Sequence, residues 1–302
     1  SPDLPPFKGN IPKEPSGKDD FVVAAFTGNA NTRGSLGDSF NYSDNHIWFP
    51  HNEIIHNVRY HKPDLLAYTG DQVFHSRPTV TDESITHSTY LDYLYKWYLF
   101  LWAHGRLTRD IPCVILPDDQ DFYQEKLWGA AGKKAEPLPE GEAYPLHYRG
   151  KLKRFYQQDR GGYIMPAKFV NMVQRTQTSH LPEPYDSTTV EQGIGVYYTS
   201  ISYGRMSFAI LEDRKFKSPP SVILPEAKVV NGFSQIEDMT QNRLKAPEGK
   251  LLGERQLRFL RDWAEDWDMV DMKATISQTI PACVSTFPDT LDPTFYASGL
   301  EP

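Results

Sequence analysis

The chain has 302 residues, a mass of 34.6 kDa and a 39% hydrophobic share, room for one large domain or two modest ones around a sizeable core. A net charge of −7 and a pI near 5.7 argue against a nucleic-acid backbone or an anionic membrane as the main partner. Two cysteines, Cys113 and Cys283, exclude a disulfide scaffold and a cysteine-rich zinc site, and no apolar run reads as a membrane span or a signal peptide.

Residues 1–20 are rich in Pro, Lys and Asp and read as an extended arm before a single domain over 21–302. Phe21–Phe26 is a short apolar run, a buried strand, that empties into the polar glycine loop Thr27–Gly34. A helix is expected around Asn52–His61, then a second strand, Leu65–Tyr68, ending in Thr69-Gly70-Asp71-Gln72. Leu91, Leu94, Tyr95, Tyr98, Leu99 and Trp102 recur at helical spacing within Tyr90–Gly105, and these aromatics read as core. Ile111–Leu116 is a third strand, ending in Pro117-Asp118-Asp119-Gln120-Asp121. Residues 125–192 read as a loop-rich insertion folding over one end of the sheet. A hairpin follows, Gly195–Tyr203 with Met206–Leu211, ending in Glu212-Asp213-Arg214. Gly253–Trp267 is amphipathic, with Leu257, Leu260, Ala264 and Trp267 on one face, and Lys273–Gln278 reads as another strand. Alternating strands and helices argue for an α/β fold with a sheet buried on both faces.

The chemistry gathers at strand ends. Sites in open α/β sheets lie beyond the carboxyl ends of the strands. There the chain places Thr27–Asn31, Gly70-Asp71, the acids of Asp118–Asp121, and Glu212-Asp213-Arg214. Carboxylates converging on one edge would repel one another, and a hard cation with oxygen ligands relieves that repulsion. Taken one at a time, Gly70-Asp71 is ordinary turn chemistry, and Asp213-Arg214 reads as an internal ion pair. His46, His51, His56 and His61 recur every five residues, which puts them on no common helical face, so they read as surface or half-buried histidines. Cys113 reads as an inert core thiol.

Taken in order, these segments resemble the PhoD-like alkaline phosphatase/phosphodiesterase branch of the calcineurin-like metallophosphoesterases. Pro63-Asp64-Leu65-Leu66-Ala67-Tyr68-Thr69-Gly70-Asp71-Gln72 is similar to the family's "pDl…GD" segment. Pro117-Asp118-Asp119-Gln120-Asp121 stands where the family has "DDHD" or "DDHE". Leu211-Glu212-Asp213-Arg214 is similar to the family's Asp-Arg segment, and Leu252-Gly253-Glu254-Arg255-Gln256-Leu257-Arg258-Phe259-Leu260 to "LGxxQxxWL". The resemblance runs from about Phe21 to Gln278.

It implies a four-layer α/β/β/α sandwich that hydrolyses phosphate mono- or diesters, small or polymeric, by a metal-bound hydroxide attacking phosphorus in line. Asp71 and Asp119 would be metal ligands, with Asn29 or Asn31 offering a weaker oxygen. Asp118, Asp121 and Asp213 would support them, while Gln120 and Arg214 would face the substrate. The cations would be iron, calcium, zinc or manganese, and the family's habit is export to the periplasm, cell surface or medium. Three departures stand out. Gln120 replaces the family's histidine, Asn29 and Asn31 replace its first-strand ligands, and no histidine follows His180, where the family has "GDxH" or "GHxH". The expectation is therefore a chain lacking its C-terminal ligand segment. The alternative is a non-catalytic relative that binds a ligand or partner in the same cleft or on the 125–192 face.

Overall fold

A computed structural model describes residues 9–15, 20–28, 51–75, 85–137, 157–223, 225, 229–230, 232–234 and 248–279. Asn29, Asn31, His46 and Cys283 lie outside the described residues. The fold is mixed α/β. Strands β1 (Val23–Phe26), β2 (Leu65–Tyr68) and β3 (Cys113–Ile115) form a parallel sheet in the order β1-β2-β3. Helices α1 (Asn52–Tyr60) and α2 (His87–Thr108) lie between them in sequence. All four residues of β2 are buried, which is why it reads as a continuous apolar run rather than an alternating one.

The second sheet starts with the hairpin β4 (Thr199–Tyr203) and β5 (Met206–Ile210). Its two loop residues, Gly204 at φ 60° and Arg205 at φ 64°, are both left-handed, the condition for a type I′ turn that matches strand twist. A small ribbon, β6 (Val229–Val230) with β7 (Phe233–Ser234), precedes helix α4 (Gly253–Glu265) and strand β8 (Met272–Ile276), which joins β5 in parallel. Helix α3 (Ala167–Thr178) comes before the hairpin.

Alternation along the strands divides the core. Leu65, Ala67, Val114 and Leu116 from the first sheet meet Phe208, Ile210 and Ile276 from the second. The other face of the first sheet, with Leu66, Tyr68 and Ile115, packs on Ile55 of α1 and on Phe100 and Leu107 of α2. The far face of the second sheet, with Ala209 and its neighbours Tyr198 and Leu211, packs on Phe259 of α4. Residues 9–15 carry no regular element. They are tied down at both ends, by Asn10 N–H to the Arg109 carbonyl and by Gly204 N–H to Glu14.

Three expectations from periodicity and composition need correction. In α2 the stripe Leu91, Leu94, Tyr95, Tyr98 and Trp102 is exposed, Tyr98 at 65%, while the buried face is Thr89, Tyr93, Lys96, Phe100, Ala103, His104 and Leu107. Three of those buried residues are polar or charged and find partners inside. Lys96 pairs with Asp92 at 2.7 Å and lies over the Tyr123 ring, and His104 Nδ1 meets the Tyr68 hydroxyl at 3.1 Å. In α4 the buried residues are Gln256 and Phe259, with Leu260 and Trp263 beside them; Leu257 points outward, and Trp267, expected on the same face, lies exposed just past the end of the helix. Gln256 is inside because its amide bonds both the N–H and the carbonyl of Glu212, at 2.8 and 3.1 Å. Within 125–192, the segment read as loops, α3 packs Phe169, Val170 and Val173 against Tyr93 and Tyr123.

Candidate metal centre

β2 and β3 are parallel neighbours, so the loops that leave them open on the same edge. Thr69 N–H bonds the Phe26 carbonyl and Gly28 N–H the Gly70 carbonyl, so the chain leaving β1 toward Asn29 and Asn31 starts at that edge too. Gly70 adopts φ 123°, and a Cβ there would lie 2.2 Å from Cβ of Asp118. Only glycine lets the two acid-bearing loops come this close. Asp71 follows in the left-handed region at φ 59°, which Asp and Asn tolerate better than most residues.

Asp71, Asp118 and Asp119 converge. Each offers a carboxylate oxygen, and these oxygens all lie within 4.8 Å of one another. Asp118 and Asp119 are buried, and Asp119 leads into a short 3-10 turn, Gln120–Phe122. Arg214 comes from a helical turn, Asp213–Phe216, just after β5. Its guanidinium lies over the acids, with Nε 2.6 Å from Asp118 Oδ1 and Nη1 3.9 Å from Asp119 Oδ2. The expected Asp213–Arg214 pair does not describe these side chains. Consecutive residues on the turn diverge, and Asp213 instead accepts hydrogen bonds from Ser277 Oγ at 2.8 Å and Gln278 N–H at 3.2 Å, anchoring the end of β8.

Asp121 is buried and serves as a scaffold. Its Oδ2 accepts the N–H groups of Asp71 and Asp118, both at 2.8 Å. Its Oδ1 accepts the Val73 N–H at 2.9 Å and the Gln177 amide at 2.7 Å. Gln120 turns its amide to Glu125 Oε2 at 3.3 Å. His56 and His61 are exposed, and His51 is half-buried with its ring 5.5 Å from that of His104. Burial pushes the Cys113 thiol up to about 11, as fits an unreactive core residue.

The electrostatics follow from crowding. Burial first, then the charges of Asp118 and Asp121, push Asp71 up to about 8, while Arg214 and a hydrogen bond from the Gln120 N–H pull the other way. Burial likewise raises Asp118 and Asp119, against the pull of Arg214. Burial lifts Asp121 to about 7 despite its four N–H donors. Arg214, with Lys126 acting on Asp119, does not neutralise the four carboxylates of Asp71, Asp118, Asp119 and Asp121, so protons or a cation supply the rest. The donor set fits a hard cation: all oxygens, clustered, with Asp71 Oδ1 buried and accepting no hydrogen bond.

Sequence reasoning ranked Asp118 as a support, yet it stands with Asp71 and Asp119. It missed Gln72 and Gln177, whose amides bond each other at 3.0 Å beneath the site. A signal for Gln177 existed in the spacing of Phe169, Val170, Val173 and Gln177, which is helical. It also missed the buried ion pair between Lys215 and Glu212 beside Tyr197.

The edge thus defines a mixed α/β protein with an acidic, metal-competent strand-end site. No family model matches the chain, and no curated protein does. Among solved structures, the chain is similar to PhoD, with 14% identity, TM-score 0.47, and 89% of this chain against 42% of that one. It is also similar to the purple acid phosphatase PPD1 from yellow lupin (Lupinus luteus) seeds, with 13% identity, TM-score 0.29, and coverage of 63% and 24%. Both neighbours are metallophosphoesterases, and the chain spans less than half the length of either.

Proposed function

We propose that this chain carries the metal centre of a phosphoester hydrolase acting on phosphate mono- or diesters. The observation that carries the reading is the convergence of Asp71, Asp118 and Asp119 at the carboxyl ends of β2 and β3. The ordered resemblance of the strand-end motifs to the PhoD-like family gives that acid cluster its chemical meaning. Asp71, Asp118 and Asp119 would hold the cation, with Asn29 or Asn31 as the weaker oxygen ligand that the family resemblance implies. When bound, the metal would act as a Lewis acid toward the phosphoryl oxygens.

The chain's own residues do the rest. Asp121 ties both loops together, which holds the acids close to one another before any cation arrives. Arg214, already at the cluster, supplies positive charge beside any phosphate seated there. Gln120 can donate a hydrogen bond but moves no proton at neutral pH, so it would orient the leaving group rather than protonate it.

The test is a titration of the purified protein with Mn2+, with bound metal measured, followed by hydrolysis of bis(p-nitrophenyl) phosphate. Wild type should bind and turn over, and Asp71→Asn should lose metal and lower turnover roughly 100-fold or more. A wild type that binds no metal and hydrolyses nothing overturns the proposal. The Gln120 amide held by Glu125, in place of a titratable imidazole, favours a second reading: a ligand-binding relative without turnover. Metal binding with no hydrolysis of any phosphoester would select it.

A further inference from the structure

We propose that Gln177 on α3 is a positioning residue for the metal centre, one buried amide that sets the distance between the acid-bearing loops of β2 and β3. The inference rests on the metal-site reading above. Asp121 is the direct tie between the loops, because Asp71 and Val73 on one and Asp118 on the other all donate to it. Gln177 decides where Asp121 can sit. Its Nε2 donates to Asp121 Oδ1 at 2.7 Å and to the Tyr93 hydroxyl at 2.9 Å. Its Oε1 accepts from Gln72 Nε2 at 3.0 Å.

Gln72 carries the tie back into both loops. Its Nε2 also donates to the Leu116 carbonyl at 2.8 Å, at the end of β3, and its Oε1 accepts the Gly70 N–H at 3.0 Å. Gln177, Gln72 and Asp121 are all essentially inaccessible to water, so each amide hydrogen and oxygen in the chain of bonds is matched inside the protein. The chemistry needs an amide at 177, with two donors for Asp121 and Tyr93 and one acceptor for Gln72. A carboxylate there would set two anions face to face, and an apolar side chain would leave Asp121 Oδ1 short of a donor. α3 therefore reaches into the centre from a segment that contributes no ligand of its own. Outer-sphere hydrogen bonds of this kind orient ligands, and losing one typically weakens metal binding 10- to 100-fold.

A bland alternative exists: Gln177 is a satisfied core amide whose loss only lowers stability. Two variants on the same helix separate the readings. Gln177→Met keeps the shape and removes the hydrogen bonds, whereas Val173→Ala opens the apolar cluster under α3 and leaves them intact. Mn2+ affinity by calorimetry and Tm are measured for both, with Gln72→Met as a second cut through the same chain of bonds. Gln177→Met and Gln72→Met should weaken Mn2+ binding about 10- to 100-fold, while Val173→Ala should lower Tm with Mn2+ affinity within about 3-fold of wild type. Wild-type affinity in both glutamine variants, or an equal loss in Val173→Ala at the same Tm, overturns the positioning role. A wild type that binds no Mn2+ overturns the metal-site reading itself, a separate and distinguishable failure.

Discussion

Removing a ligand should make the metal-free protein more stable, and the effect should grow with pH. Asp71 has its carboxyl raised to about 8 in the fold from an ordinary value of 3.8. The folded state therefore holds a proton that the unfolded chain releases. Stability contributed by that proton falls as pH rises from about 4 to about 8 and stays low above that. At about 1.4 kcal/mol per pH unit, the penalty approaches about 3 kcal/mol at pH 6 and about 6 kcal/mol above pH 8. Asp118, Asp119 and Asp121 share protons with it, so about half of that ceiling is the expected reading for one site. Asparagine is the right probe, because it accepts the left-handed backbone at φ 59° and keeps the N–H bond to Asp121. Urea unfolding in a chelator should show Asp71→Asn level with wild type near pH 4 and more stable by roughly 2–3 kcal/mol near pH 8. Adding Mn2+ should reverse the order, since only wild type gains from binding. A gap that stays flat with pH, or a variant less stable than wild type near pH 8, would refute the reasoning.

Gly70→Ala should cost about 2–4 kcal/mol and abolish Mn2+ binding, because its Cβ would collide with Asp118 at 2.2 Å; normal binding in this variant would contradict the close-approach argument. Arg214→Met should destabilise the metal-free protein by about 3–5 kcal/mol near neutral pH, by leaving Asp118 buried and uncompensated, and by less in acid. Unchanged chemical denaturation would show that the ion pair contributes nothing. Burial, then the nearby His51, push His104 down to about 4. Its folded form binds fewer protons than the unfolded chain, so the buried neutral imidazole adds stability that is lost as pH falls from about 6.5 to about 4, a ceiling of about 3 kcal/mol. His104→Gln should flatten the acid limb of the stability profile, and an identical acid limb would remove His104 from it.

The sequence revealed elements where burial and polarity agree. Leu65–Tyr68 and Ile111–Leu116 are apolar throughout because β2 and its neighbour are covered on both faces. The Gly204-Arg205 turn was legible because few residue pairs adopt its backbone. Helix faces were misread where burial and polarity part company. Lys96 pairs with Asp92 one helical turn back but also reaches the His75 carbonyl and the Tyr123 ring, while His104 and Gln256 sit inside through Tyr68 and the Glu212 backbone, and no window of α2 or α4 contains those distant partners. The acids at strand ends were visible as a class. Their ranking was not, because whether Asp118 or Asp121 joins Asp71 depends on the rotation of one short turn, which the N–H donors of both loops set together.

The last histidine of the chain has a consequence for behaviour in acid. Among the described residues β3 is an edge of its sheet, and its Ile115 N–H is covered by Nε2 of His180 at 3.2 Å. That nitrogen accepts only while the imidazole is neutral. Burial keeps it so by lowering its proton affinity, against a backbone hydrogen bond involving Gln177 that raises it. Once protonated, Nε2 presents a hydrogen to a hydrogen, and the cap is repelled from the strand it covers. The exposed amide then becomes a template for another extended chain. Acidification would thus express itself as intermolecular β-pairing along β3, the strand that runs directly into Asp118, so strand edge and carboxylates would answer to the same protons.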